Sequence, residues 1–163
     1  MSASMWFMYD EDLKQVDAEL SKLQMLANAK ATFLVDKNGH LIASAGDSKG
    51  IDTTSLASLT AGNIAATGAM AKLLGEKEFS ILLHEGEREH IHVSIIAQRL
   101  ILVVVFDHRS SLGLVRLRVR KSGEVLGQIF SKILSKANQE RVGQEDRSPF
   151  TAITEDDINK LFG

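Results

Sequence analysis

Apolar residues recur at every third or fourth position between Asp10 and Asn28, at Leu13, Val16, Leu20, Leu23 and Ala27, with polar residues between them. That spacing predicts an amphipathic helix. The period then changes. Ala31-Thr32-Phe33-Leu34-Val35 reads as a buried strand, Asp36-Lys37-Asn38-Gly39 as a tight turn and His40-Leu41-Ile42-Ala43 as the returning strand. Asn-Gly supplies the positive φ angles that such a turn requires, and Asp36 is read as a turn former. After a polar loop from Gly46 to Gly50, Asp52, Thr53 or Thr54 can cap a second helix that stops near Gly75.

Phe79-Ser80-Ile81-Leu82-Leu83 is a short strand, and Glu85-Gly86-Glu87 a turn. Ile91, Val93 and Ile95 alternate with His92 and Ser94, as in a strand with one wet face. Leu100 to Phe106 is continuously apolar and β-branched, suited to a central strand covered on both sides. Ala97-Gln98-Arg99 is a poor turn sequence, which leaves the boundary before it open. Val115 to Arg120 alternates like a strand, yet Leu112, Val115, Val119, Leu126, Ile129, Phe130 and Ile133 share one helical face. The longer pattern predicts a single long helix with arginines on its flanks. The fold class is α+β: a five-stranded, mainly antiparallel sheet with helices on both faces, in the order α-β-β-α-β-β-β-α. Residues 1–137 make the domain, 138–153 a polar linker closed by Pro149, and 154–163 a short amphipathic helix.

The second helix has two unlike sides at about 100° per residue. Leu56, Leu59, Asn63, Ala66, Met70, Leu73 and Leu74 fall on one, expected to bury itself on the sheet. Ala57, Ser58, Ala61, Ala65, Gly68, Ala69 and Lys72 fall on the other, which is almost bare of side chains. A solvated face is usually dressed with Lys and Glu, and glycines cost helix stability. The bare side therefore reads as a packing surface rather than a plain solvent face, and periodicity leaves open whether a neighbouring element of the chain, a second copy or another protein packs there. At the chain end, Thr154 and Asp157 stand in capping-box spacing, and Ile158, Leu161 and Phe162 make one apolar side. So short a helix must dock on its own domain or on a partner.

Composition narrows the chemistry. The 163 residues are 44% hydrophobic and 25% charged with a net charge of −2, which gives no general electrostatic reason to bind nucleic acid. With no cysteine, disulfides and thiolate chemistry are excluded. The apolar start is too short for a signal peptide, and no window approaches a membrane span, so a cytoplasmic location without membrane insertion is expected. No phosphate-binding loop, nucleophile elbow or HExxH pair occurs. His90 and His92 share a strand face, with His84 and His108 elsewhere, but half-exposed strand histidines explain them better than a metal site. Arg116, Arg118, Arg120 and Lys121 read first as a solvated helix flank, with a phosphate or acidic-partner contact second. No cofactor is expected, and an enzyme acting alone is not.

Several longer stretches carry a family resemblance: Phe33-Leu34-Val35-Asp36-Lys37-Asn38-Gly39, Ile51 to Asn63, Ala71-Lys72-Leu73-Leu74-Gly75-Glu76, Val105-Phe106-Asp107 and Ser111 to Arg118, extended by Ser148-Pro149-Phe150 and Asp156-Asp157-Ile158. The chain resembles the Roadblock family, related to dynein light chains, whose fold is profilin-like. The resemblance implies a homodimer with sheets joined edge to edge and the second helices side by side as a platform for a small Ras-like GTPase. It places Ala61, Ala65, Gly68, Ala69 and Lys72 on that platform. It further implies a GTPase-activating protein without an arginine finger, acting in bacterial polarity or motility and concentrated at a cell pole. A tail contact through Ile158, Leu161 and Phe162 would affect nucleotide exchange. Arg88 and Arg109 are the only obvious finger candidates. The competing expectation is a dimeric adaptor that holds a GTPase or polarity protein without accelerating anything, with a small-molecule enzyme a distant third.

Overall fold

The computed structural model describes residues 10–145 and residue 160. The elements are α1 (Asp10–Leu26), β1 (Ala31–Asp36), β2 (Leu41–Gly46), α2 (Thr53–Leu73), β3 (Ile81–Glu85), β4 (His90–Ile96), β5 (Leu100–Phe106) and α3 (Leu112–Glu145). The strands pair antiparallel throughout in the order β2-β1-β5-β4-β3. This is the α+β order expected from the sequence.

β5 lies at the centre and every one of its residues is buried, as its unbroken apolar run requires. Alternation divides the core in two. Leu100, Leu102, Val104 and Phe106 pack with Leu34 and Ile96 against Val16, Leu20 and Leu23 of α1 and Val115, Leu126 and Phe130 of α3. Ile101, Val103 and Val105 pack with Phe33, Val35 and Val93 under Ala57, Ala61 and Ile64 of α2. One face therefore carries two helices and the other only one. Thr32, buried in β1, donates its hydroxyl to the Leu20 carbonyl at 3.1 Å.

Two turns depart from expectation. Of Asn38 and Gly39, only Gly39 takes a positive φ, +91°. The Asp36 carboxylate accepts from the N–H groups of Asn38 (2.9 Å) and His40 (3.0 Å), which holds a wider loop than a two-residue turn. A side chain on Gly39 would also press on the Ser58 backbone 3.1 Å away, so this turn needs glycine twice over. Between β4 and β5, Ala97 and Gln98 take φ values of 52° and 60°, and the Arg99 N–H reaches the Ile96 carbonyl at 3.2 Å. A tight hairpin thus forms on a sequence poor in turn residues. The long apolar strands set the register and impose the strained turn.

α3 is helical through the stretch that alternates like a strand, and Val115, Val119, Leu126, Ile129, Phe130 and Ile133 are buried along it. It also continues to Glu145, beyond the point where the sequence reading begins a linker. The reason is propensity: Gln139, Glu140, Arg141, Gln144 and Glu145 are good helix formers, and the first proline is Pro149. Losing the apolar face marks where the helix leaves the core, rather than where it stops. Lys136 of α3 pairs with Asp12 of α1 at 3.7 Å. Among the described residues, no helix is long and apolar enough to cross a membrane.

Candidate functional site

α2 starts at a well-formed cap. The Asp52 carboxylate accepts from the Ser55 N–H at 3.1 Å and from its hydroxyl at 2.7 Å, which also lowers the Asp52 pKa. Gly75, at φ +79°, turns the chain just beyond the helix.

The side of α2 that packs on the sheet is the reverse of the one expected. Ala57, Thr60, Ala61 and Ile64 are buried, whereas Leu59, Met70, Leu73 and Leu74 are 72%, 60%, 87% and 73% exposed. The sheet offers Phe33, Val35 and Val103 at this point, and small helix residues let α2 settle close upon them. Ala61, 8% exposed, is part of the core and also lines the floor of the groove beside this helix. The large apolar residues form a stripe open to solvent.

The other proposed platform residues remain accessible. Ala65, Gly68, Ala69 and Lys72 line a groove of about 390 Å³ between the second half of α2 and the sheet, closed by Phe79 and Ile95. A side chain placed on Gly62 or Gly68 would meet nothing within 4 Å. Packing within the chain therefore does not require glycine at either position. The groove flank and the stripe lie on opposite sides of the buried seam and meet across the exposed ridge of Gly62, Ala66 and Ala69.

β3 is an edge strand that pairs only with β4 among the described residues. Among the described residues no strand pairs with its other side, and Ile81 is 49% exposed. Such an edge is a template for another strand. Asn63 of α2 donates its amide to His84 Nε2 of β3 at 2.9 Å, and Thr67 donates to the Asn63 carbonyl at 2.7 Å. The stripe residues Leu59 and Met70 flank Asn63 on the same side of the helix. Stripe and strand edge are thus tied into one surface.

The remaining candidates are placed as follows. Arg88 is exposed in the β3–β4 turn. Arg109 is engaged by its own chain, with Nε 3.1 Å from Asp107 Oδ1 and Nη2 3.0 Å from Oδ2. His84 binds Asn63, His90 stacks obliquely on Phe106 with centroids 5.1 Å apart, and His92 is buried. The expectation that His92 sits on a wet, half-exposed face is therefore corrected: α3 covers that face. Among the described residues no group of three or more His, Asp or Glu could hold a metal. Ile158, Leu161 and Phe162 lie outside the described residues.

The Arg109 side chain and backbone N–H hold the Asp107 pKa at about 2, against 3.8 ordinarily. Because the folded value is the lower one, the pair contributes stability fully above about pH 4 and loses it as pH falls toward 2. A carbon-detected NMR titration of Asp107 is expected to give a midpoint near 2, and Arg109→Ala to return it toward the ordinary range. An unshifted midpoint in the parent protein would show that the pair does not persist in solution.

A profile of the Roadblock/LC7 domain matches residues 15–106. The chain belongs to the Roadblock/LC7 family. Among solved structures, this Roadblock protein is similar to Myxococcus xanthus MglB, at 53% identity over 77% of this chain and 95% of that one, with a TM-score of 0.74. The gliding protein MglB of Thermus thermophilus is 33% identical over 76% and 94% of the two chains, with a TM-score of 0.73. An MglB described with a tetrameric arrangement is 32% identical over 77% and 94%, also at 0.73. Schizosaccharomyces pombe profilin, 13% identical over 69% and 97% at a TM-score of 0.53, shares the fold alone. No match was found among curated proteins.

Proposed function

We propose that this Roadblock protein is a homodimeric activator of a small Ras-like GTPase of the MglA kind, acting in bacterial polarity or motility. The observation that carries the reading is the apolar stripe of α2 lying open beside the unpaired edge of β3. Apolar side chains of that size, aligned along one helix and next to free backbone, suit a second copy of the same surface. Two β3 edges would join the sheets, and two α2 stripes would cover each other. The opposite flank of α2, with Ala65, Gly68, Ala69 and Lys72, then stays free for the GTPase. The likeness to the MglB structures supports both the self-association and the class of partner.

Activation in this reading works by positioning. The dimer holds the GTPase so that its own residues align, and donates no catalytic group. Arg109 is committed to Asp107, which argues against its use as a finger. The tail residues Ile158, Leu161 and Phe162 contact the GTPase elsewhere and act on nucleotide exchange.

Single-turnover GTP hydrolysis by an MglA-type GTPase, with and without this protein, tests the reading. Acceleration is expected, and Arg88→Ala with Arg109→Ala should retain it. A donated arginine is worth about 10³ to 10⁵ in rate, so a loss of that size with binding intact would replace positioning by a finger. Binding without acceleration would make the protein an adaptor.

A further inference from the structure

On the side of the sheet away from α2, a cleft of about 370 Å³ opens between β4 and α3. Small-molecule sites occupy roughly 300–1,000 Å³. His92 and Ser94 contribute to the lining from β4, and Arg116, Arg120 and Glu124 from α3. His92 is 1% exposed and Ser94 6%. Among the described residues, neither ring nitrogen of His92 has a hydrogen-bond partner, and nor has Ser94 Oγ.

Packing does not explain these two residues. The cross-strand neighbours of His92 are Leu83 and Val104, and those of Ser94 are Ile81 and Leu102. Valine or leucine would fill either position without leaving buried donors and acceptors unpaired, which is costly. Two guanidinium groups against one carboxylate leave the cleft positive. Burial and the Arg116 charge hold His92 below the usual imidazole range, which favours its neutral form.

We infer that this cleft binds a small amphipathic anion, its carboxylate or phosphate head held by Arg116 and Arg120 with His92 and Ser94 beneath, and its apolar body against Ile81, Ile96 and Val119. When Arg116 and Arg120 swing to meet the anion, His92 and Ser94 gain the partners they lack. The anion also offsets the positive charge over His92, so binding favours its protonated form. The charged groups lining the cleft with His92 are Arg116, Arg120 and Glu124 of α3, of which Arg116 acts on its charge. β3 and β5 present only Leu83 and Val104 beside it, and His90, one pair along β4, packs on Phe106. The site lies on the opposite face from the proposed GTPase platform, and its test does not read GTP hydrolysis.

The full-length protein is titrated with sodium octanoate, octyl phosphate, inorganic phosphate and 1-octanol, followed by calorimetry and by the Ile81 and Ile96 methyl resonances. Saturable binding of octanoate or octyl phosphate is expected, the tighter of the two identifying the head group. Affinity for octanoate, which stays ionised throughout, should rise about fivefold or more from pH 8 to pH 6. Arg116→Gln with Arg120→Gln, both exposed, should weaken binding at least tenfold without altering thermal stability. His92→Gln should abolish the pH dependence; if that variant does not fold, the arginine pair carries the test. No saturable binding of either amphipathic anion would overturn the inference. So would octanol binding as tightly as octanoate, inorganic phosphate binding as tightly as octyl phosphate, or methyl shifts confined to α2.

Discussion

Leu59→Glu combined with Leu73→Glu is expected to yield a folded monomer. Both side chains are largely exposed in the single chain, at 72% and 87%, so the domain loses little of its own packing. Surface changes of this kind usually alter stability by about 0.5 kcal/mol or less. Across a two-fold interface each side chain is met twice. Burying a leucine contributes about 1.5–3 kcal/mol, so four such burials amount to about 6 kcal/mol or more. At about 1.4 kcal/mol per tenfold, the dimer weakens by about four orders of magnitude. Placing carboxylates against each other adds to the loss. Light scattering after gel filtration, with circular dichroism as the folding control, reads the outcome. A variant still dimeric at micromolar concentration would show that the stripe is not the interface.

Ala65→Arg with Ala69→Arg is expected to leave the dimer intact and reduce GTPase stimulation to the basal rate. Both positions are exposed on the flank of α2 that does not bear the stripe. Arginine is nearly as good a helix former as alanine, so α2 persists. Its long side chain would fill the groove lined by Gly68 and Phe79 and hold a partner backbone away. The rate with the variant should equal that of the GTPase alone, whatever the size of the stimulation. Ala65→Ser with Ala69→Ser, which barely changes volume, should retain it. Full stimulation by the arginine variant would move the GTPase to another surface.

These two experiments probe the places where the chain was hardest to read. The alternating and continuous apolar runs marked β1, β4 and β5 because period and β-branching agreed there. α3 was legible through its long three-and-four spacing, which outlasted the competing alternation of Val115 to Arg120. Asp52, Thr53 and Thr54 announced the start of α2 by cap chemistry, and the fold uses Asp52. The packing side of α2 was not legible. α2 carries apolar residues on nearly every side, so periodicity had no polar face from which to infer the buried one. Size then suggested the wrong answer: bulky leucines were expected inward and alanines outward. His92 was misplaced for a related reason, since an alternating strand does not reveal whether a distant helix covers its polar side.

Element identity and order were set by the sequence itself, because helix period, strand alternation, capping and turn residues act among neighbours. The packing side of α2, the edge position of β3 and the burial of His92 were decided only in three dimensions. Each depends on the shape that remote residues present: Phe33 and Val35 admit alanines where leucines would not fit, and α3 closes over β4. Contacts between distant parts of a chain leave no period in its sequence, so only the assembled sheet and helices could reveal which apolar surface was left over.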